Sequence, residues 1–253
     1  MIRALDSRLG LGIVSLACVL ALWEVFGRIE PLYTSYPSEI ASAAWRTLPD
    51  EVLPAFGSTL AGFAVGLAIA AVLGIAIGFA MARVSVIEIA LSPYVNALYA
   101  TPRIALIPLL VIWLGIDFQL RVAIVVLSAI FPIIITVWVG GKETDAQLLQ
   151  VGRAFLAGPW QRWRTVIFPA SLPYVFTGLR LGLARALTGI VVAEMTAAIS
   201  GIGRLILDDA RYLQTADLFV PLILLGLLSI ALTALLDRLQ RKVTPWRRPT
   251  ELG

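Results

Sequence analysis

The chain has 253 residues, 59% of them hydrophobic and only 14% charged, with a net charge of +4 and a mean hydropathy of +0.90. Soluble domains carry nearer one quarter charged residues, so this composition excludes an ordinary water-soluble globule and requires an apolar solvent. The basic residues that lift the pI to about 9.6 sit mostly at the ends of apolar runs, where they set membrane orientation rather than bind nucleic acid.

Three runs lack Asp, Glu, Lys and Arg altogether: 31 positions at 52–82, 20 at 122–141 and 19 at 218–236. A helix needs about 20 apolar residues to cross the hydrocarbon core. The chain reads as an all-α integral membrane protein, a single membrane domain over 1–253 with a core at about 55–240. Six spans are expected, at 10–28, 57–82, 87–115, 120–140, 171–197 and 218–240.

The first span holds Cys18, the only cysteine, which excludes an intramolecular disulfide framework. No small-x-small site precedes Trp23, so a cleaved signal peptide is not expected. After it, "PSEIASAAWRTLPDEVLPAF" is too charged to span. With Pro37 and Ser38 in capping positions, and Ala41, Ala44, Trp45 and Leu48 on one face, it reads as a short helix along the outer surface.

The second span carries "GFAVG" and "GIAIG", and the fifth carries "GLRLG". Small residues four apart let helices approach closely in lipid, either within one subunit or at a seam between subunits. In the third span Pro93, Pro102 and Pro108 surround Arg103, predicting a break near "ATPRIALIP". Such breaks survive only where protein or a water-filled cavity satisfies the freed backbone groups, which implies a translocation pathway or a simple kink.

Between spans four and five lies the longest loop, 141–169. "DAQLLQVGRAF" reads as an amphipathic helix capped by Asp145, with Leu148, Val151, Gly152 and Phe155 on one face. That face either docks in a groove of a soluble partner or lies on lipid headgroups. "AGPW" then breaks the helix, and "QRWRTVIFP" leads helically into span five.

There Arg180 lies near the cytoplasmic end and can snorkel. Arg185 is deeper, where lipid exposure costs about 2.5–3.5 kcal/mol, so it faces protein or a pathway. For Arg185 that leaves a structural ion pair, a carbonyl contact or an anion-attracting role. Glu194 likewise faces protein or the pathway.

Placing both termini in the cytoplasm puts twelve Lys and Arg on inner segments and five on outer ones. This is the positive-inside arrangement, and it requires an even number of spans.

The chain has no histidine and no cysteine pair, so no metal or haem site is expected. "VGGKET" is not a phosphate-binding loop, because Thr136 stands where its first glycine belongs, and no nucleophile elbow or H-E-x-x-H helix occurs. An enzyme is the weaker class.

The 141–169 loop resembles that of permease subunits of binding-protein-dependent ABC importers, whose pattern is E-A-A-x3-G-x9-I-x-L-P. Here the pattern starts at Gln150-Val151-Gly152, places Leu156 at the later glycine, and ends with Val166, Phe168 and Pro169. Gln150 and Leu156 depart from it. "ATPRIALIPLLVIWLGI", "GLRLGLARALTGIVVAEM" and "SGIGRLILDDARYLQT" are similar to the nitrate/sulfonate/taurine-type branch.

The resemblance implies a type I importer bundle in the bacterial cytoplasmic membrane, with 141–169 as the segment coupled to an ATPase. Its coupling residues would be Leu148, Gln150, Val151, Gly152, Phe155, Leu156 and Pro169. Implied partners are an ATPase dimer that binds the ATP and Mg, a second permease copy and an external solute-binding protein; the chain itself holds no cofactor and catalyses nothing.

The implied cargo is a small solute, mostly anions in this branch, such as taurine, alkanesulfonates, nitrate or bicarbonate. Pathway candidates are Pro102, Arg103, Arg185 and Glu194. The rival class is a self-sufficient secondary carrier or channel, which would use intramembrane charges and often inverted repeats.

Overall fold

A computed structural model describes residues 2–30, 34–144, 147, 150, 154–197 and 200–246, with side chains from residue 10 onward. All described elements are helical: α1 (Ile2–Gly27), α2 (Pro37–Thr47), α3 (Leu53–Arg83), α4 (Ser85–Ala100), α5 (Ile107–Leu114), α6 (Phe118–Lys142), α7 (Pro159–Arg162), α8 (Phe168–Ala197), α9 (Ile202–Arg211) and α10 (Thr215–Val243). A π-helical turn at Leu48–Val52 joins α2 to α3, and another at Trp163–Ile167 joins α7 to α8.

Five apolar stretches are long enough to cross a membrane: Gly10–Gly27, Pro37–Arg83, Phe118–Lys142, Pro159–Ala197 and Thr215–Val243. The α4 segment and residues 103–114, bent by 90°, make a sixth. The expected number of spans is met.

The chain forms two compact units. One comprises residues 1–58 and 200–226. In it, Ile40, Ala43 and Val52 pack with Val220, and Trp23 meets Phe219 edge-on with ring centres 5.4 Å apart. The α2 helix starts differently from the expectation. Tyr36 is its N-cap without a side-chain cap bond, and Pro37 occupies the first turn.

Glu24 of α1 takes over the capping role, accepting hydrogen bonds from the Ser38 amide at 3.0 Å and hydroxyl at 2.7 Å. The buried face of α2 is Ile40, Ala43 and Thr47, while Ala41 and Trp45 point outward. Trp45 is almost fully exposed.

The second unit comprises residues 59–199 and 227–253, with α6 at its centre. The α6 helix is half buried along its apolar window, whereas the α1 window is 6% buried and leaves its apolar side chains exposed. Both glycine stripes pack against α6. A Cβ on Gly66 would lie 2.6 Å from Val125 Cβ, and one on Gly78 would lie 2.8 Å from Val137 Cβ.

From α8, a Cβ on Gly182 would meet Ile133 at 2.9 Å. Lipid tails are as apolar as Leu, so helix association rests on such close van der Waals contact. The stripes therefore serve packing within the chain. Arg180 of α8 does not merely snorkel: it pairs with Asp237 of α10 at 3.2 Å and also bonds Gln240.

Candidate functional site: a cationic cavity at the helix break

The α4 helix ends at Ala100 for a local reason. Thr101 precedes a proline and is held extended at ψ 135°, and Pro102 offers no N–H to continue the ladder. Of the carbonyls freed there, Tyr99 O accepts from Arg103 Nη2 at 2.8 Å. The Thr101 hydroxyl adds a second bond, at 2.9 Å, to Ala97 O, which already accepts from the Thr101 amide.

Arg103 Nη1 reaches across to α6 and donates to Ser128 O at 3.3 Å. That carbonyl is available because its helical partner four residues on is Pro132, which has no N–H. One guanidinium thus bridges two backbone gaps, one made by Pro132 and one left where α4 breaks off before Pro102. It also lies 5.4 Å from the ring centre of Tyr99 and 5.9 Å from that of Phe131.

A cavity of about 360 Å³ opens at this break. Pro102, Arg103 and Tyr99 line one side, Ser128 another, and Arg185, Thr188 and Gly189 of α8 the third. Positions i, i+3 and i+4 share one helix face, which is why these three α8 residues arrive together. Arg185 makes no ion pair or hydrogen bond among the described residues, and no carboxylate lines the cavity. Two guanidinium groups therefore line it with no carboxylate beside them among the described residues.

Three of the four pathway candidates, Pro102, Arg103 and Arg185, come together here. Glu194 does not line this cavity. It is fully buried, accepts from the Thr59 hydroxyl at 2.9 Å on each oxygen, and lies 3.6 Å from Arg121 Nη1. This cluster ties α3, α6 and α8 together. Reading the sequence in segments missed Tyr99, Ser128 and Thr188 as lining residues; the signal for Ser128 was the proline four positions later.

In the 141–169 segment, Leu148, Val151 and Gly152 lie outside the described residues, as does Asp145. Gln150 is exposed, Phe155 is 81% exposed and Leu156 is 93% exposed, so an apolar knob stands unburied in this chain. Leu156 has φ +54°, the left-handed conformation natural to glycine. Pro169 is half-buried in the first turn of α8.

The family "Binding-protein-dependent transport system inner membrane component" matches residues 66–249. The chain belongs to that family. The permease is therefore a multi-pass inner-membrane protein. It is 33% identical over 164 residues to the "Putative aliphatic sulfonates transport permease protein SsuC" of Bacillus subtilis, across 65% of this chain and 59% of that relative's length.

With the taurine transport system permease protein TauC of Escherichia coli the permease shares 26% identity over 263 residues, covering 96% of this chain and 91% of the relative. With the formylaminopyrimidine transport permease protein ThiX of Halalkalibacterium halodurans it shares 29% over 232 residues, covering 91% and 93%. An inward-facing structure of the MetNI methionine ABC transporter superposes with a TM-score of 0.67 at 21% identity, over 76% of this permease and 96% of that chain. That likeness establishes the fold.

Proposed function

We propose that this chain is the membrane-spanning subunit of an ATP-driven importer for a small anion. Two copies form the conduit as one membrane domain each, a solute-binding protein delivers cargo from outside, and a pair of ATPase subunits docks on 141–169. The ATPase pair binds and hydrolyses ATP with its Mg; the permease binds no cofactor. The conduit alternates between inward- and outward-open states, and nucleotide-driven closure of the ATPase pair moves the loops as rigid bodies.

The observation that carries the anionic cargo is the cavity at the break, where Arg103 and Arg185 stand without an acidic neighbour among the described residues. The exposed Phe155 and Leu156 support docking of a soluble partner rather than packing within the chain. The relatives' printed cargoes, aliphatic sulfonates and taurine, carry a negative sulfonate group, in keeping with this charge.

Reconstitution tests the reading. The permease with its neighbouring ATPase and binding protein should accumulate at least one of labelled taurine, methanesulfonate and nitrate in proteoliposomes when ATP is supplied. The permease alone should accumulate none. Uptake by the lone chain under an ion gradient would overturn the proposal in favour of a secondary carrier.

A further inference from the structure

At the Arg83 end of the second unit, the segment that leads from the 141–169 loop into α8 is fastened to one particular helix. Trp160 and Trp163, one turn apart across the start of the π-helical turn, stack face to face with ring centres 5.3 Å apart and planes 11° apart. The Arg83 guanidinium, in the last turn of α3, lies over both, 5.0 Å from Trp160 and 5.7 Å from Trp163.

Beneath this stack, Trp163 meets Phe79 of α3 at 5.8 Å and Phe168 of α8 at 5.6 Å. The ends of α4 and α6 are joined by a different contact, Lys142 to Glu88 at 2.5 Å.

From this juxtaposition we infer that Arg83 is a positioning residue: it transmits displacement of the coupling loop to α3 through the paired tryptophans. The inference rests on the loop being the ATPase-docking segment. A planar guanidinium held against two rings resists sliding as well as separation, so a push on Trp160 is delivered to the end of α3. From there the glycine stripe carries it along the tight α3–α6 contact, where Gly66 and Gly78 leave no slack. Trp160 is 56% exposed and Arg83 is exposed, so changing either leaves the packed core intact.

The experiment uses the reconstituted complex and whichever of taurine, methanesulfonate and nitrate the wild-type complex accumulates, reading uptake and ATP hydrolysis together. Arg83→Gln and Trp160→Leu should still assemble with the ATPase and hydrolyse ATP, while solute moved per ATP falls about tenfold, within the usual range for an allosteric coupling. Trp160→Phe, which restores a flat ring, should recover most of the ratio.

An unchanged ratio in Arg83→Gln overturns the inference, and so does loss of ATPase binding, which would make the stack a docking element instead. Phe155→Asp runs alongside. If that variant transports normally with its ATPase bound, the docking assignment of the loop fails on its own account. If it uncouples while Arg83→Gln does not, only the role of Arg83 falls.

Discussion

Arg121 and Glu194 face each other at 3.6 Å between α6 and α8, with the carboxylate fully buried and the guanidinium 8% exposed. Desolvating both charges costs several kcal/mol, and the pair persists because the Thr59 hydroxyl shares its proton between the two carboxylate oxygens. Deleting one partner strands the other. Glu194→Ala should therefore destabilise the detergent-solubilised permease by roughly 3–5 kcal/mol, and the double variant with Arg121→Ala by less than the sum of the singles. A thermal melt of Glu194→Ala that matches the wild type would sink this account.

The two arginines of the cavity should respond differently. Arg103 closes backbone gaps at Tyr99 and Ser128, so Arg103→Gln leaves carbonyls unpaired at about 1–3 kcal/mol and should lower the melting temperature. Arg185 lines the same cavity without such bonds. Arg185→Gln should keep the melting temperature and reduce anion uptake about tenfold, as expected for losing one charge-assisted bond of about 1.5 kcal/mol. Normal uptake rate and affinity in Arg185→Gln would remove it from the pathway.

Leu156 holds a left-handed backbone at φ +54° with its side chain 93% exposed. Strain of about 1–2 kcal/mol is relieved by glycine, less about 0.4–1 kcal/mol for the looser unfolded chain. Leu156→Gly should thus be neutral to mildly stabilising, whereas Leu156→Val, branched at Cβ, should loosen the loop. Rates of limited proteolysis within 141–169 distinguish the two, and equal protection in both variants would refute the strain argument.

Phe155→Asp probes docking directly. With the residue 81% exposed, the change leaves the packed core intact. Forcing a carboxylate into an apolar groove costs several kcal/mol unless it is paired. The variant should reach the membrane folded but lose most ATP-driven uptake, measured in vesicles against the wild type.

Asp209 of α9 carries a built-in pH response. Burial first, then the charges of Asp217, Glu51 and Asp208, raise its carboxyl from about 3.8 to about 6. An acid raised on folding binds its proton more tightly in the native state. Its contribution is most favourable below about pH 4 and declines as pH rises towards 6. The carboxyl keeps part of its water, so the loss stays under about 1 kcal/mol. Asp209→Asn should flatten the stability profile between pH 4 and 6 in melts recorded across that window, and an unaltered slope would contradict the shift.

Much of this was written along the chain. The crossings follow from the length of the apolar segments, three of them free of charge altogether, because a bilayer tests each segment for about 20 apolar residues irrespective of its neighbours. The break follows from Pro102, whose missing N–H acts within one turn, and the loop from its breakers and arginines. These are local properties, so sequence alone determines them.

What only the tertiary structure decided is where each side chain points once helices have rotated and slid into contact. Thr59 and Glu194 are 135 positions apart, and nothing in either segment names the other. The same is true of Arg103 finding Ser128 O, of the glycine stripes choosing α6, and of Arg83 capping two tryptophans of another segment. A helix shifted by one residue turns about 100°, enough to exchange the cavity for lipid, and only close packing selects the rotation.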